Sequence, residues 1–197
     1  TDLYSDDLDY NFLKIIGAEL KNYKDSFKLK DFTDMIEKFI LSNLCPTFDV
    51  IFIDEAQDLS PIQWKMYDLL KKNSKIVILA GDDDQAIYGW AGADVKRFQN
   101  EPAKEKVLPK SYRVPLKVQQ VASTIISQIE TRIPKEWKPR DNEGHCEEVY
   151  SMEEVDLTQG KWLILARTNY RLIKLKPHLT ERGIYFEYKD RKSFSAK

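Results

Sequence analysis

Across residues 8–44 apolar side chains return at helical spacing: Phe12, Ile15, Ile16 and Leu20, then Phe32, Met35, Ile36, Phe39 and Ile40, with charged residues between them. A 3.6-residue period puts such positions on one face, so two amphipathic helices are expected. The period then changes. Val50-Ile51-Phe52-Ile53 is a short, continuous, β-branched apolar run, which reads as a strand buried on both faces of a parallel sheet, with Asp54 at its carboxyl end. Ser60, Pro61 and Gln63 then supply a helix start: an N-cap, a proline in the first turn and a capping-box partner. Ile62, Met66, Leu69 and Leu70 form that helix's inward stripe, Lys71 and Lys72 suit its negative end, and Asn73 suits a left-handed stop. Residues 76–80 read as a second buried strand. Strand, helix and strand make a βαβ unit, whose ligands belong beyond the carboxyl ends of the strands.

Further on, a short helix is expected after Ala93, a strand over 106–108, and a helix opened by Pro115 with Val118, Val121, Ile125 and Ile129 facing inward. Residues 134–144 are polar and turn-rich, a surface loop. Residues 162–166 read as a third buried strand. A helical segment follows to Arg182, which Pro177 should kink or split, then a Gly183 stop and a strand over 184–188. Trp64 and Trp162 read as core.

Composition narrows the class. Of 197 residues, 42% are hydrophobic and 12% aromatic, enough to fill a core. Charged residues make up 32% but nearly cancel to a net charge of -1, so any nucleic-acid contact must be local rather than a global positive field. Cys45 and Cys146 stand apart from each other and from any ligand cluster, which favours reduced thiols over a disulfide or a zinc site. No run of about 20 apolar residues is present for a membrane span. A cytoplasmic protein is expected.

The chemistry concentrates after the first two strands. Asp54-Glu55 puts two carboxylates beside an apolar core, which is costly unless a cation or a water uses them; the plainer reading is a solvated strand-to-helix turn. Tyr88 and Trp90 bracket Gly89 in a glycine-flanked loop, where a large aromatic suits stacking on exposed bases, although Tyr88 reads equally well as packing under the loop. Trp137, among Lys135, Lys138 and Arg140, reads as part of a solvated loop ahead of a basic DNA contact.

Motif spacing then links these residues. Asp54-Glu55-Ala56-Gln57-Asp58 is followed, after the second strand, by the stretch from Gly81-Asp82-Asp83-Asp84-Gln85 through Tyr88-Gly89-Trp90-Ala91-Gly92-Ala93-Asp94. In these strings the chain resembles the UvrD/PcrA/Rep-type superfamily 1 DNA helicases, whose Walker B motif looks like DExQD and whose third motif looks like GDxDQSIYxWRGA. Asp31-Phe32-Thr33-Asp34-Met35-Ile36 resembles the family's DFDDLL segment, Ser111-Tyr112-Arg113 its NYR motif, Arg167-Thr168-Asn169 its RTN segment, and Gly183-Ile184-Tyr185 through Phe194 its GIPY…F stretch. The order is collinear over nearly the whole chain.

The resemblance implies an α/β fold of RecA-like, P-loop NTPase type, with parallel sheets flanked by helices and parts of two motor domains. Residues 1–104 would be the C-terminal half of the first, with helices of an inserted subdomain over 1–30. Residues 105–197 would be the N-terminal part of the second. Asp54 would hold Mg²⁺, Glu55 would be the general base, Gln85 would sense the γ-phosphate of ATP, Tyr112 would stack on adenine, and Arg113 would act as an arginine finger; without the resemblance, Arg113 reads equally as a surface salt bridge. Tyr88 and Trp90 would stack on DNA. The intact protein would be a monomeric ATP- and Mg²⁺-dependent helicase acting on single-stranded DNA and duplex junctions, travelling 3′ to 5′. Ala91 replaces the usual arginine of WRGA and Ser111 the usual asparagine. No GxxxxGK[ST] loop occurs, and the chain starts at Thr1, so it reads as a fragment that alone binds ATP weakly or not at all. A catalytically silent DNA-binding scaffold and the helicase module of a nuclease-helicase complex are the alternatives.

Overall fold

The computed structural model describes residues 9–188 together with 191 and 192. The chain forms two compact units, Thr1–Gly144 and His145–Lys197. In the first, α1 (Tyr10–Ser26) is capped by Asp9, whose carboxylate accepts the Asn11 N–H; the expected start at Leu8 lies outside the described residues. Next, α2 (Phe32–Ser42) opens on a reciprocal pair: Asp31 accepts the Asp34 N–H and Asp34 accepts the Asp31 N–H, each at 2.9 Å. The Lys24 ammonium bonds both carboxylates and so ties α1 to the start of α2.

The expected βαβ unit is present. β1 (Phe48–Ile53) and β2 (Ser74–Leu79) pair in parallel, Phe48 opposite Ser74 and Ile53 opposite Leu79, with α3 (Pro61–Lys72) between them in sequence. At the start of α3, Gln63 Oε1 accepts from the Ser60 N–H (2.8 Å) and hydroxyl (2.9 Å). Trp64 and Tyr67 of α3 are buried and meet edge to face at 5.1 Å. Asn73 does not adopt the expected left-handed stop; its φ is -102°. The carbonyls of the last turn are satisfied instead by side chains, the Asn73 carboxamide donating to Leu69 and the Ser74 hydroxyl to Leu70.

The strands are not buried on both faces. Phe52, Ile76 and Ile78 are exposed, because the sheet has two strands, α3 packs against β2 and α2 packs on α3. Beyond β2 lie α4 (Val95–Gln99) and α5 (Leu116–Ile126). Pro115 opens α5 as expected, but Val118, Val121, Ile125 and Ile129 stay exposed. Residues 106–108 form no strand, since a strand exists only through hydrogen bonds to a neighbour and the local pairing is a single bridge, Lys110 to Lys138.

In the second unit, residues 162–166 likewise lack a strand partner among the described residues, and Trp162 is exposed, donating from its indole to the Gln159 carbonyl at 2.7 Å. The helix α6 (Asn169–Glu181) continues unbroken through Pro177, since one missing donor leaves the rest of its ladder intact. Gly183 ends it at φ +68°, with Ile184 N–H donating to Leu179 and Gly183 N–H to Thr180. The expected strand over 184–188 shrinks to β3 (Glu187–Tyr188), antiparallel to β4 (Arg191–Lys192); Phe194 lies outside the described residues. Among the described residues no helix is long and apolar enough to cross a membrane.

Candidate functional site

Backbone pairing continues past the strands: Ala80 N–H donates to Ile53 (2.8 Å) and Ala56 N–H to Ala80 (3.0 Å). The loops after β1 and β2 therefore leave the sheet side by side. In the first, Asp54 Oδ1 accepts the Glu55 N–H at 3.0 Å. Glu55 has φ 52° and ψ 41°, a left-handed conformation that costs a non-glycine residue energy and that surrounding contacts must hold. A single 3₁₀ turn, Ala56–Asp58, follows.

Gln57 holds this geometry. Its residue is 1% exposed, and its Nε2 donates to Glu55 Oε2 at 2.8 Å and to Asp58 Oδ2 at 3.3 Å. Its Oε1 accepts the Asp82 N–H of the second loop at 3.0 Å. Gly81 is required beside it: a Cβ there would lie 2.7 Å from Gln57 Oε1 and 2.9 Å from the Phe98 ring. Asp82 Oδ2 in turn accepts from the Gln85 carboxamide at 2.6 Å. Glu55, Gln57, Asp82 and Gln85 are thus one hydrogen-bonded series across the ends of two parallel strands.

Asp83 and Asp84, with the other oxygen of Asp82, enter a cluster absent from the sequence reading. The Lys135 ammonium contacts Asp82 Oδ1 (2.9 Å), Asp84 Oδ2 (2.9 Å) and Asp83 Oδ1. The Arg132 guanidinium forks onto both oxygens of Asp84 at 2.7 and 2.6 Å. Asp83 Oδ2 accepts the Ile133 N–H (2.6 Å) and the Gln99 carboxamide (2.9 Å). Burial pushes the Asp83 carboxyl up, but the bonds from Lys135, Gln99 and Ile133 outweigh it and hold its pKa below the ordinary carboxylate value. For Asp84 the Arg132 bond dominates and the direction is the same. Desolvation opposes the charge on Lys135, and the bonds to Asp83, Asp82 and Asp84 prevail, raising its pKa. These three carboxylates are spaced as metal ligands would be, yet the protein's own ammonium sits among them. The sequence signal was an acidic triplet needing counter-charge, with Arg132 just before, and Lys135 within, the loop over 134–144 otherwise read as solvated.

The other expected site residues lie on exposed loops. Tyr88 caps and Trp90 sits within a 3₁₀ turn, Gly89–Ala91, with ring centroids 6.3 Å apart and planes at 48°; Trp90 is 76% exposed. Tyr112 is exposed, and the Arg113 guanidinium forms no ion pair or hydrogen bond among the described residues, so neither joins the Glu55–Gln85 series. Ser111 shapes their turn, its hydroxyl accepting the Arg113 and Val114 N–H groups at 3.4 and 3.1 Å.

Chemically, the strand ends present a carboxylate fixed by an amide (Glu55), a second whose Oδ2 has no partner among the described residues (Asp54), and an exposed carboxamide (Gln85). A hard carboxylate oxygen at Asp54 fits a magnesium ion.

The family model described as the UvrD/REP helicase N-terminal domain matches residues 3–106. The chain is 37% identical over 101 residues to DNA helicase II of Escherichia coli, covering 49% of this chain and 14% of that protein. It is 29% identical over 161 residues to the ATP-dependent DNA helicase srs2 of Schizosaccharomyces pombe, covering 77% and 18%. It is 29% identical over 110 residues to the ATP-dependent DNA helicase PcrA of Leuconostoc citreum, covering 53% and 15%. The chain spans less than a fifth of the length of each of these relatives.

Proposed function

Because the chain belongs to the UvrD/REP helicase family, we propose that it carries the water-activating and phosphate-sensing part of a motor that couples ATP hydrolysis to movement along single-stranded DNA and to duplex unwinding. The observation that carries this reading is the Glu55–Gln57–Asp82–Gln85 series, which brings a general-base candidate and a phosphate-sensing candidate onto one edge of a parallel sheet. Glu55 takes the proton of the attacking water while Gln85, neutral and able both to donate and to accept, bonds the γ-phosphate or that water without a charge cost. The water oxygen forms the new bond to phosphorus as the bond to ADP breaks. Asp54 holds Mg²⁺, which supplies neutralisation of charge on the phosphoryl oxygens.

Tyr112 stacks on adenine, and Arg113 reaches the transferring phosphoryl group as an arginine finger when the nucleotide is bound. Tyr88 and Trp90 stack on bases with little sequence preference, which the exposure of Trp90 supports. The motor acts as a monomer at single-stranded DNA and duplex junctions, with 3′ to 5′ travel. The 197 residues contain no GxxxxGK[ST] loop, so in this reading the main triphosphate cradle lies outside them. Residues 1–104 belong to a first RecA-like motor domain and 105–197 to a second.

Glu55→Gln in the full-length protein tests the reading. It should abolish DNA-stimulated ATP hydrolysis while a fluorescent ATP analogue still binds. Turnover equal to wild type would return Glu55 to a structural turn and favour a silent DNA-binding scaffold.

A further inference from the structure

We propose that Lys135 is a positioning residue for ATP hydrolysis: by clamping Asp82, Asp83 and Asp84 it holds Asp82 where the second oxygen of that carboxylate aims the Gln85 carboxamide. The inference rests on the functional reading above and adds a residue 50 positions from Gln85 in sequence. Asp82 is the node. One of its oxygens faces Lys135 at 2.9 Å, the other faces Gln85 Nε2 at 2.6 Å, and its N–H is held by Gln57.

Three features argue that the clamp orients as well as neutralises. First, the side chains of Asp83 and Asp84 are 2% and 3% exposed, so water cannot replace Lys135 as their partner. Without that cation, Asp84 keeps Arg132 and Asp83 keeps Gln99 and the Ile133 N–H, but Asp82 loses its cation, and repulsion from the other two carboxylates would drive it, the most exposed of them, outward. Second, Asp82 is bound from both sides, so its displacement pulls on Gln85 directly. Third, with one Gln85 N–H committed to Asp82, the other N–H and Oε1 make no bond among the described residues and face no internal competitor. An amide anchored at one hydrogen has a defined direction in which to offer the rest. The same arrangement excludes the other use of an acidic triplet: a divalent cation would have to displace an ammonium already bonded to all three carboxylates.

The test is a double-mutant cycle in the full-length protein, reading DNA-stimulated ATP turnover. Lys135→Ala should lower kcat about tenfold with KM for ATP little changed, and Lys135→Arg should recover most of the loss. In a Gln85→Ala background the same Lys135→Ala change should have almost no further effect, because the residue it positions is gone. If the Lys135→Ala loss is as large with Gln85 absent as with it present, Lys135 is purely structural and the proposal is overturned. Should Lys135→Ala fail to fold, Lys135→Met, which keeps the length of the side-chain stem, carries the same cycle: coupling to Gln85 supports the proposal and additivity overturns it. Failure of the functional reading looks different, since wild type and Glu55→Gln would then turn over ATP alike.

Discussion

Replacing Gln57 with leucine removes every bond that joins the two strand-end loops through side chains while nearly conserving volume. The cost can be worked from the contacts. The Asp82 N–H, held at 3.0 Å by Gln57 Oε1 beside a Gly81 with no room for a methyl group, would be left without a partner. A buried orphan donor costs about 1–3 kcal/mol. The bonds to Glu55 and Asp58 add less, under about 1 kcal/mol, because water reaches Glu55 and can replace them. The total is roughly 1–4 kcal/mol, a large share of a typical domain's stability. In thermal unfolding followed by circular dichroism this should lower Tm by roughly 2–15 °C. Gln57→Glu sharpens the test. It keeps an acceptor for the Asp82 N–H but sets a third carboxylate where 2.8 Å and 3.3 Å separate Gln57 from Glu55 and Asp58. Its destabilisation should therefore grow as pH rises through the carboxylate range, whereas that of Gln57→Leu should not. A Tm within about 2 °C of wild type for Gln57→Leu would refute the claim that this side chain holds the loops together.

Trp90→Ala should weaken binding of a single-stranded oligonucleotide roughly 5- to 100-fold, the worth of one stacked base, in a fluorescence anisotropy titration. Its melting temperature should not change, and equal affinity would make Trp90 a surface residue without a DNA role. Acid should release the 132–135 loop: Asp83 and Asp84 have lowered pKa values, so the stability they lend is complete above pH of about 4 and is lost as pH falls through their lower folded values. Lys135 has the opposite shift, so its contribution is complete below about 10.4 and persists through neutral pH. An acid unfolding curve that stays the same in Asp83→Asn would exclude this source.

What the sequence made legible was local. Ser60, Pro61 and Gln63 sit within one turn of each other, and the structure builds the helix start they encode. The two apolar runs around α3 pair as neighbours because the helix between them is just long enough to return the chain. What failed depended on partners elsewhere. Among the described residues, the apolar run at 162–166 has a strand's composition but nothing to pair with, and Val118, Val121 and Ile125 have a core stripe's period but no layer over them. The site divides in the same way. Glu55 and Gln85 were visible through motif spacing, and the hydrogen bonds link them. Lys135 was not, because a counter-ion 52 residues from Asp83 leaves no periodic trace.

The identity of Gln57 follows from what surrounds it. One end of the side chain meets two carboxylates, Glu55 and Asp58, and requires a donor; the other meets the Asp82 N–H and requires an acceptor. Lysine would serve the first end and fail the second, and glutamate would do the reverse; at this length only a carboxamide serves both without adding charge. Its presence forces Gly81, since any Cβ there would strike its oxygen. Glu55 in a left-handed conformation would relax on its own, but the Gln57 bond and the Ala56-to-Ala80 backbone bond on either side resist that. The aspartate-glutamate pair, the glutamine two residues on and the glycine-aspartate after the next strand are therefore one hydrogen-bonded object written in two pieces. A single substitution at its centre should disturb the acid and the amide together.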